Sequence, residues 1–329
     1  MSQVVRFYES GGPDVLKIEN VEDKQPGPDE VLIKVKAIGL NRAEIMFREG
    51  KYLEHPRSFP SRIGYEASGI VEAAGKNSTF KPGDKVSTVP AFAMDKYGVY
   101  GETAIVPARA VAKHPDNLSF EEAASIWMQY LTAYGALVEF GKVKSGQSVI
   151  ITAASSSVGY AAIQLCKIIG AKSIATTRTK VKKQMLLDAG ADHVIVTDDE
   201  SLEEKVMSYT DKRGAEMIFD PVAGPFLQEL AKCSAYHGSI YEYGALSLQP
   251  TSYPLFQALK KGLTVRGYTL FEITSDDELF ARGKKYVFDL LASGKLKPIL
   301  DKTFELKDIK EAHKYMESNN QNGKITVVA

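Results

Sequence analysis

Apolar and polar positions alternate, or nearly alternate, along the first third of the chain. Val4 to Phe7, Leu16 to Glu19 and Val31 to Gly39 read as strands, separated by the turn clusters Gly11-Gly-Pro13 and Pro26-Gly-Pro28. Gly69 to Gly75, Asp84 to Val89, Val99 to Val106 and Ala108 to Lys113 continue the pattern, with Lys81-Pro-Gly83 as a turn. Many short strands at regular spacing with Gly/Pro turns predict a small barrel-like domain. The period then changes. Ser119-x-x-Glu122 is a capping box that opens a helix through Trp127, and a second helical pattern covers Leu131 to Phe140.

From Gly146 onward, short apolar runs alternate with helical stretches. Gln147 to Thr152 is a β-branched run of strand length, Ala153 to Gly159 a small-residue turn, and Tyr160 to Ile169 a helix with Ala162, Leu165, Cys166 and Ile169 on one stripe. Gly170 stands where a left-handed residue would end that helix, and Ser173 to Thr177 is the next strand. Helices over Lys180 to Ala189, Ser201 to Tyr209, Phe226 to Cys233 and Pro254 to Lys261 alternate with strands His193 to Val196, Met217 to Asp220, Ser239 to Tyr243 and Leu263 to Arg266. Such alternation implies a parallel, doubly wound sheet. A long helix, Asp276 to Ser293, follows. The tail from Ile299, with a helix over Asp308 to Met316, returns to short strands and is read as rejoining the first domain.

The turn after the first strand of this half gathers free N–H groups and the positive end of a helix dipole, which suits a pyrophosphate. A dinucleotide fingerprint expects glycines where this chain has Ser155, Ser156 and Ser157, with Val158 and then Gly159 in place. An ordinary strand–turn–helix is the alternative. The end of the second strand shifts the balance. A carboxylate there would meet a ribose 2′-hydroxyl, whereas a cation accommodates a 2′-phosphate. Here Thr177-Arg178-Thr179-Lys180-Val181-Lys182-Lys183 holds four cations and no acid. Cations at a helix start oppose its dipole, so an anionic guest is expected, and NADPH rather than NADH.

The 329 residues carry 41 basic and 41 acidic side chains, a net charge of zero that gives no global field for nucleic acid. Apolar and charged fractions are those of a soluble globular protein of two domains, and the chain shows neither a signal-peptide core nor a membrane-span run. Its two cysteines, Cys166 and Cys233, suggest neither a disulfide framework nor a zinc site, so a cytoplasmic setting is expected.

Taken together, Gly11-Gly-Pro13, Ala37 to Asn41, Pro60 to Gly69, Lys81 to Asp84, Leu131 to Tyr134, Ala153 to Gly159 with Gln164, and Gly170-Ala171 resemble the medium-chain dehydrogenase/reductase superfamily, in its zeta-crystallin-like quinone oxidoreductase branch. That resemblance implies an α/β fold: a GroES-like β-rich catalytic domain interrupted by a Rossmann doubly wound parallel-sheet domain. The boundaries expected are 1–123 with 272–329 for the former and 124–271 for the latter. The family's zinc branch carries cysteine at Asn41, histidine at Tyr65 and a further cysteine near Met128, and all three are absent here, as are cysteines for a structural zinc lobe between Ala91 and Pro107. Zinc needs thiolate, imidazole or carboxylate donors, so the site is read as metal-free.

Without a Lewis acid, hydride is better accepted by a conjugated system, whose charge spreads to a distant oxygen. The resemblance implies an NADPH-dependent, zinc-independent reductase of quinones or other conjugated carbonyl compounds. An enoyl or enone reductase of acyl or terpenoid-like substrates is an alternative, and a crystallin-like protein that binds NADPH without turnover is another. By resemblance the catalytic candidates are Asn41, Tyr52 and Tyr65. The cofactor candidates are Thr132, Ser155, Ser156, Ser157, Val158, Gly159, Thr177, Arg178, Lys182, Tyr243, Gly244 and Lys324, the last closing over the cofactor. Glu44 and Glu66 are read as structural partners of backbone or arginine groups. The five histidines, scattered without ligand spacing, are read as surface or capping residues. A homodimer through the strand near Leu263 to Tyr268 is expected from the family, with a small-molecule substrate and no nucleic-acid or membrane partner.

Overall fold

The computed structural model describes residues 1–329. Its strands are β1 (Ser2–Arg6), β2 (Lys17–Val21), β3 (Glu30–Gly39), β4 (Glu66–Ala74), β5 (Lys85–Thr88), β6 (Thr103–Pro107), β7 (Val111–Lys113), β8 (Ser148–Ile151), β9 (Lys172–Thr177), β10 (His193–Val196), β11 (Ala215–Asp220), β12 (Ser234–Glu242), β13 (Thr264–Gly267), β14 (Leu300–Glu305) and β15 (Lys324–Val328). The chain divides into two compact units, one of Met1–Met128 with Phe288–Ala329 and one of Gln129–Val287. These edges differ from the expected 123/124 and 271/272 because they fall within helices, Trp127–Tyr134 and Asp277–Ala292, where the apolar pattern gives no signal.

In the first unit, β14-β15-β3-β4-β5-β7 make one curved sheet, with β6 also paired to β3, while β1 and β2 form a separate antiparallel pair. The tail does rejoin the first unit: Thr326, Val327 and Val328 pair with Gly39, Ile38 and Ala37. That pairing sets Lys324 beside the end of β3. Gly39 makes room for it, since a Cβ there would lie 2.0 Å from Ala124 O and 2.8 Å from Lys324 Cε.

The second unit is a six-stranded parallel sheet in the order β10-β9-β8-β11-β12-β13. Ile174, Ile150, Ile218, Ile240 and Val265 stand in register across five of these strands. Their row packs on Leu202, Val206, Leu227 and Leu230 from the covering helices. Burying each such side chain stabilises by about 1.5–3 kcal/mol, which is why the strands read as continuous apolar runs. The strand order reverses at β8 and β11, and in such sheets ligands gather beyond the carboxyl ends of the strands at that point.

Several elements depart from the sequence expectation. The helix expected through Trp127 ends at Ala123 and restarts at Trp127, and Gly135–Phe140 widens into a π-helix. The helix Arg42–Arg48 was not expected, although Asn41-x-x-Glu44 is a capping-box pattern that marks it.

Candidate functional site

In the first unit, three buried charges and one amide form a closed cluster. Asn41 ends the extended segment after β3 and caps the helix Arg42–Arg48, its backbone N–H donating to Glu44 Oε2 at 2.6 Å. Lys324 is 1 % exposed, and its Nζ donates to Glu66 Oε2 at 2.5 Å and to Asn41 Oδ1 at 2.6 Å. Lysine has no acceptor, so the amide oxygen must face Lys324 and the NH2 must face the acids. Asn41 Nδ2 accordingly contacts Gly39 O, Glu44 Oε1 and Glu66 Oε2, each at 3.2 Å. Glu66 Oε1 accepts from the N–H groups of Trp127 and Met128 at 2.8 and 2.9 Å.

Lys324, expected to close over the cofactor, lies in the interior of the first unit, because β15 carries it to the edge of β3 beside Glu66. The amide protons of Asn41, a catalytic candidate, are engaged by three acceptors inside the cluster. Glu44 and Glu66 do act as partners of backbone groups, and Glu66 pairs with a lysine instead of an arginine.

Beside the cluster stand the two phenols. Tyr65 is fully buried and its backbone N–H donates to Glu44 Oε1 at 3.0 Å, while Tyr52 is half-buried. The two phenols are close enough to act on one another electrostatically. Burial pushes both phenols well above the ordinary tyrosine range, helped by Glu54 and, for Tyr65, by its tyrosine neighbour. Both protons therefore stay on the oxygens at neutral pH, and the pair can donate but not act as a base.

In the second unit, β8 leads into the turn and the helix Ser157–Ile169. The left-handed step falls on Ala153, with φ 44°, and not on the serines. Ser156 is the N-cap, its Oγ accepting from Gly159 N at 3.1 Å. Gly159 is required by a close approach: a Cβ there would lie 2.4 Å from Ala154 O. Gly170 ends the helix with φ 81°. Lys182 Nζ lies 3.3 Å from Ser155 Oγ, which links the cation run to the turn, and Arg178 is exposed at the end of β9. Thr177 and Thr132 are buried, and Tyr243 stacks on Phe219 with centroids 4.0 Å apart. Gly244 follows, where a Cβ would meet Pro221 at 2.9 Å. Thr152, at the end of β8, donates to Asp220, which ends β11.

No group of three or more His, Cys, Asp or Glu side chains is placed to hold a metal ion. Both cysteines are buried and free, and burial pushes each thiol up to about 12. Two of the histidines correct the surface reading. His114 and His313 are buried, and His313 lies on the apolar stripe Ile309, Ala312, His313, Met316, a spacing visible in the sequence.

The geometry is matched by comparison with known proteins. Residues 27–116 match the family of alcohol dehydrogenase GroES-like domains, and residues 157–284 match the family described as zinc-binding dehydrogenase. The human quinone oxidoreductase is 31% identical over 319 residues, covering 95% of this chain and 93% of that protein. The Escherichia coli quinone oxidoreductase complexed with NADPH superposes with a TM-score of 0.91 at 29% identity, over 99% of this chain and 100% of that one. The CurK enoyl reductase superposes with a TM-score of 0.89 at 25% identity, over 99% of both chains. The α/β fold is thus a GroES-like β domain with a Rossmann-like parallel sheet, as in quinone oxidoreductases. The chain belongs to the medium-chain dehydrogenase/reductase superfamily of oxidoreductases, in its zinc-independent, quinone oxidoreductase-like branch.

Proposed function

We propose that this chain is an NADPH-dependent reductase that delivers hydride to quinones or related conjugated carbonyl compounds. The observation that carries the reading is the Tyr52–Tyr65 phenol pair, of which Tyr65, like Asn41, stands at a position where the zinc branch carries a metal ligand. Two neighbouring phenols that both keep their protons supply an O–H donor. Tyr52, the half-buried member, offers its O–H to the substrate oxygen, and Tyr65 supports it from the interior. Developing negative charge on that oxygen strengthens the bond, which is where such a donor contributes to rate. Asn41 ties Glu44, which holds the Tyr65 main chain, to the Lys324–Glu66 charges.

The residues of the second unit fit NADPH. Ser155, Ser157 and Val158 bring hydroxyls and helix-start N–H groups to a pyrophosphate, with Ser156 capping the helix end through Gly159 N and Gly159 allowing the close approach of the turn. Thr177, Arg178 and Lys182 supply the donors and cations a 2′-phosphate needs, and Thr132, Tyr243 and Gly244 complete the candidate set. When bound, NADPH supplies the hydride. Lys324 is assigned to the Asn41 cluster instead of the nucleotide.

A second reading, reduction of an enoyl or enone double bond, is favoured by the likeness to the CurK enoyl reductase. Steady-state NADPH oxidation with benzoquinone and with a simple enone separates the two. Faster turnover of the quinone is expected, faster turnover of the enone favours the second reading, and thermal protection by NADPH without consumption of either leaves a crystallin-like binding role. We further propose a homodimer. β13 is an edge strand, and Leu255, Phe256 and Leu259 beside it are 51%, 84% and 72% exposed, an apolar patch that a second copy would cover. A monomeric mass in solution would contradict this.

A further inference from the structure

A line of buried side chains runs through the first unit to Tyr65, and donor chemistry alone fixes its protons. Arg48 is fully buried, donates Nε–H to Gly11 O at 2.9 Å, and pairs with Glu317 near the surface. Its Nη1 lies 2.7 Å from His313 Nδ1. A guanidinium cannot accept, so Nδ1 must, and the ring proton sits on Nε2. Burial and then Arg48 hold the imidazole down to about 3, so the ring is neutral. His313 Nε2–H donates to Tyr100 Oη at 3.3 Å, and Tyr100 O–H donates in turn to Glu44 Oε2 at 2.6 Å. Gly64 gives Tyr100 its place, since a Cβ there would lie 2.2 Å from the ring.

Glu44 is where this line meets the candidate site. Beyond Tyr100, its oxygens receive Asn41 N at 2.6 Å, Asn41 Nδ2 at 3.2 Å and Tyr65 N at 3.0 Å. Every contact presents a hydrogen to the carboxylate. A proton on Glu44 would have only Tyr100 Oη to go to, and that oxygen already accepts from His313. Burial pushes the Glu44 carboxyl up, but Tyr100, the two backbone donors and Lys324 all favour the charged form, which is the form the geometry serves.

We propose that Glu44 is a positioning residue: it clamps the Tyr65 main chain and the Asn41 amide, and the Arg48–His313–Tyr100 line locks Glu44, so that the phenol pair meets a substrate oxygen in one orientation. The proposal rests on the Tyr52–Tyr65 reading above. Glu44 acts through Tyr65 and is not itself the donor.

Glu44→Gln turns an NH2 toward groups that are already donors and releases the clamp. In the full-length protein, kcat with benzoquinone should fall roughly 10- to 100-fold, the cost of a misplaced reacting group. The KM for quinone and the dissociation constant for NADPH should stay within about twofold. The double variant Tyr65→Phe/Glu44→Gln should be no slower than Tyr65→Phe alone, because residues acting as a unit are not additive. Tyr100→Phe, which keeps the Glu44 charge and removes one donor, should show the same split at about fivefold, and should add nothing to Tyr65→Phe. Wild-type kcat in Glu44→Gln, or losses that multiply in the double variant, would overturn the proposal. If Glu44→Gln does not fold, the Tyr100→Phe pair decides by the same criteria. Full activity in Tyr65→Phe is a distinct outcome, defeating the phenol assignment and this inference with it.

Discussion

Each unit holds a glutamate whose carboxyl oxygens are shut away from solvent, and the two solve the same electrostatic problem in opposite ways. Glu44 lies at the centre of four donors, with Lys324 among the charges around it. Glu242, at the end of β12 and in register with Asp220 on β11, has no donor at either oxygen. Burial, and then the Asp220 charge, push the Glu242 carboxyl up to about 9. One acid is kept ionised by what surrounds it, and the other is kept neutral by holding its proton. Burial alone therefore does not decide the charge state of a carboxyl; the supply of hydrogen-bond donors does.

The strongest test of this contrast is Lys324→Met. It leaves the Glu66 carboxylate and the Asn41 amide oxygen facing an apolar side chain at full burial. Breaking such a pair by removing one partner costs about 3–5 kcal/mol, to be read in urea unfolding. Adding Glu66→Gln should recover part of that loss, because the orphaned charge goes too. A loss below about 1 kcal/mol would mean the cluster is not a closed network.

Glu242→Gln should act in the opposite direction and with the opposite pH dependence. The wild-type folded state holds a proton up to about pH 9 that an unfolded glutamate releases near its ordinary value of 4.5. Stability is therefore complete below the unfolded value and is lost as pH rises through that window. Glutamine removes the slope. Wild type and variant should be nearly equal at pH 5, and by pH 9 the variant should be more stable by roughly 1–3 kcal/mol, a figure reduced for partial exposure. Thermal unfolding across that range checks it, and parallel curves would show that Glu242 is ionised throughout.

How much of this was legible in the sequence depends on the range of the interactions. The parallel sheet was legible because Val149, Ile150 and Ile151, or Ile218 and Phe219, are buried on both faces and read as unbroken apolar runs. The helix ends at Ser119 and Gly170 were marked by cap residues acting over a few positions, whereas the N-cap at Ser156 was hidden among three adjacent serines. The Asn41 cluster was only half legible. Asn41 and Glu44 are three residues apart and form a capping box, but Lys324 reaches them through β15, across 283 positions that no local pattern spans. Tyr100 and His313 were missed for the same reason, joined by a contact across 213 residues.

The nucleotide side of the comparison is sharpened by Arg178→Ala. Arg178 is exposed, so its loss should leave stability within about 0.5 kcal/mol while weakening NADPH binding. One charge-assisted contact to a phosphate is worth about 1.5–3 kcal/mol, a tenfold or greater rise in the dissociation constant. NADH binding should hardly change. Equal losses for the two nucleotides would remove the 2′-phosphate assignment.

Ser156→Ala carries the smallest effect and separates two roles for the serine turn. Ser156 Oγ accepts from Gly159 N, so its first duty is to cap the helix Ser157–Ile169. Alanine at an N-cap costs about 1 kcal/mol, and that loss should appear without any nucleotide present. Ser155, whose Oγ lies beside Lys182 Nζ and is not the cap, should behave differently: Ser155→Ala should leave the free protein within about 0.5 kcal/mol and weaken NADPH binding instead. If Ser156→Ala leaves stability untouched and only the affinity falls, the hydroxyl serves the phosphate and the helix start is held by its backbone alone. The turn would then resemble the glycine version it replaces, in which N–H groups rather than side chains do the binding.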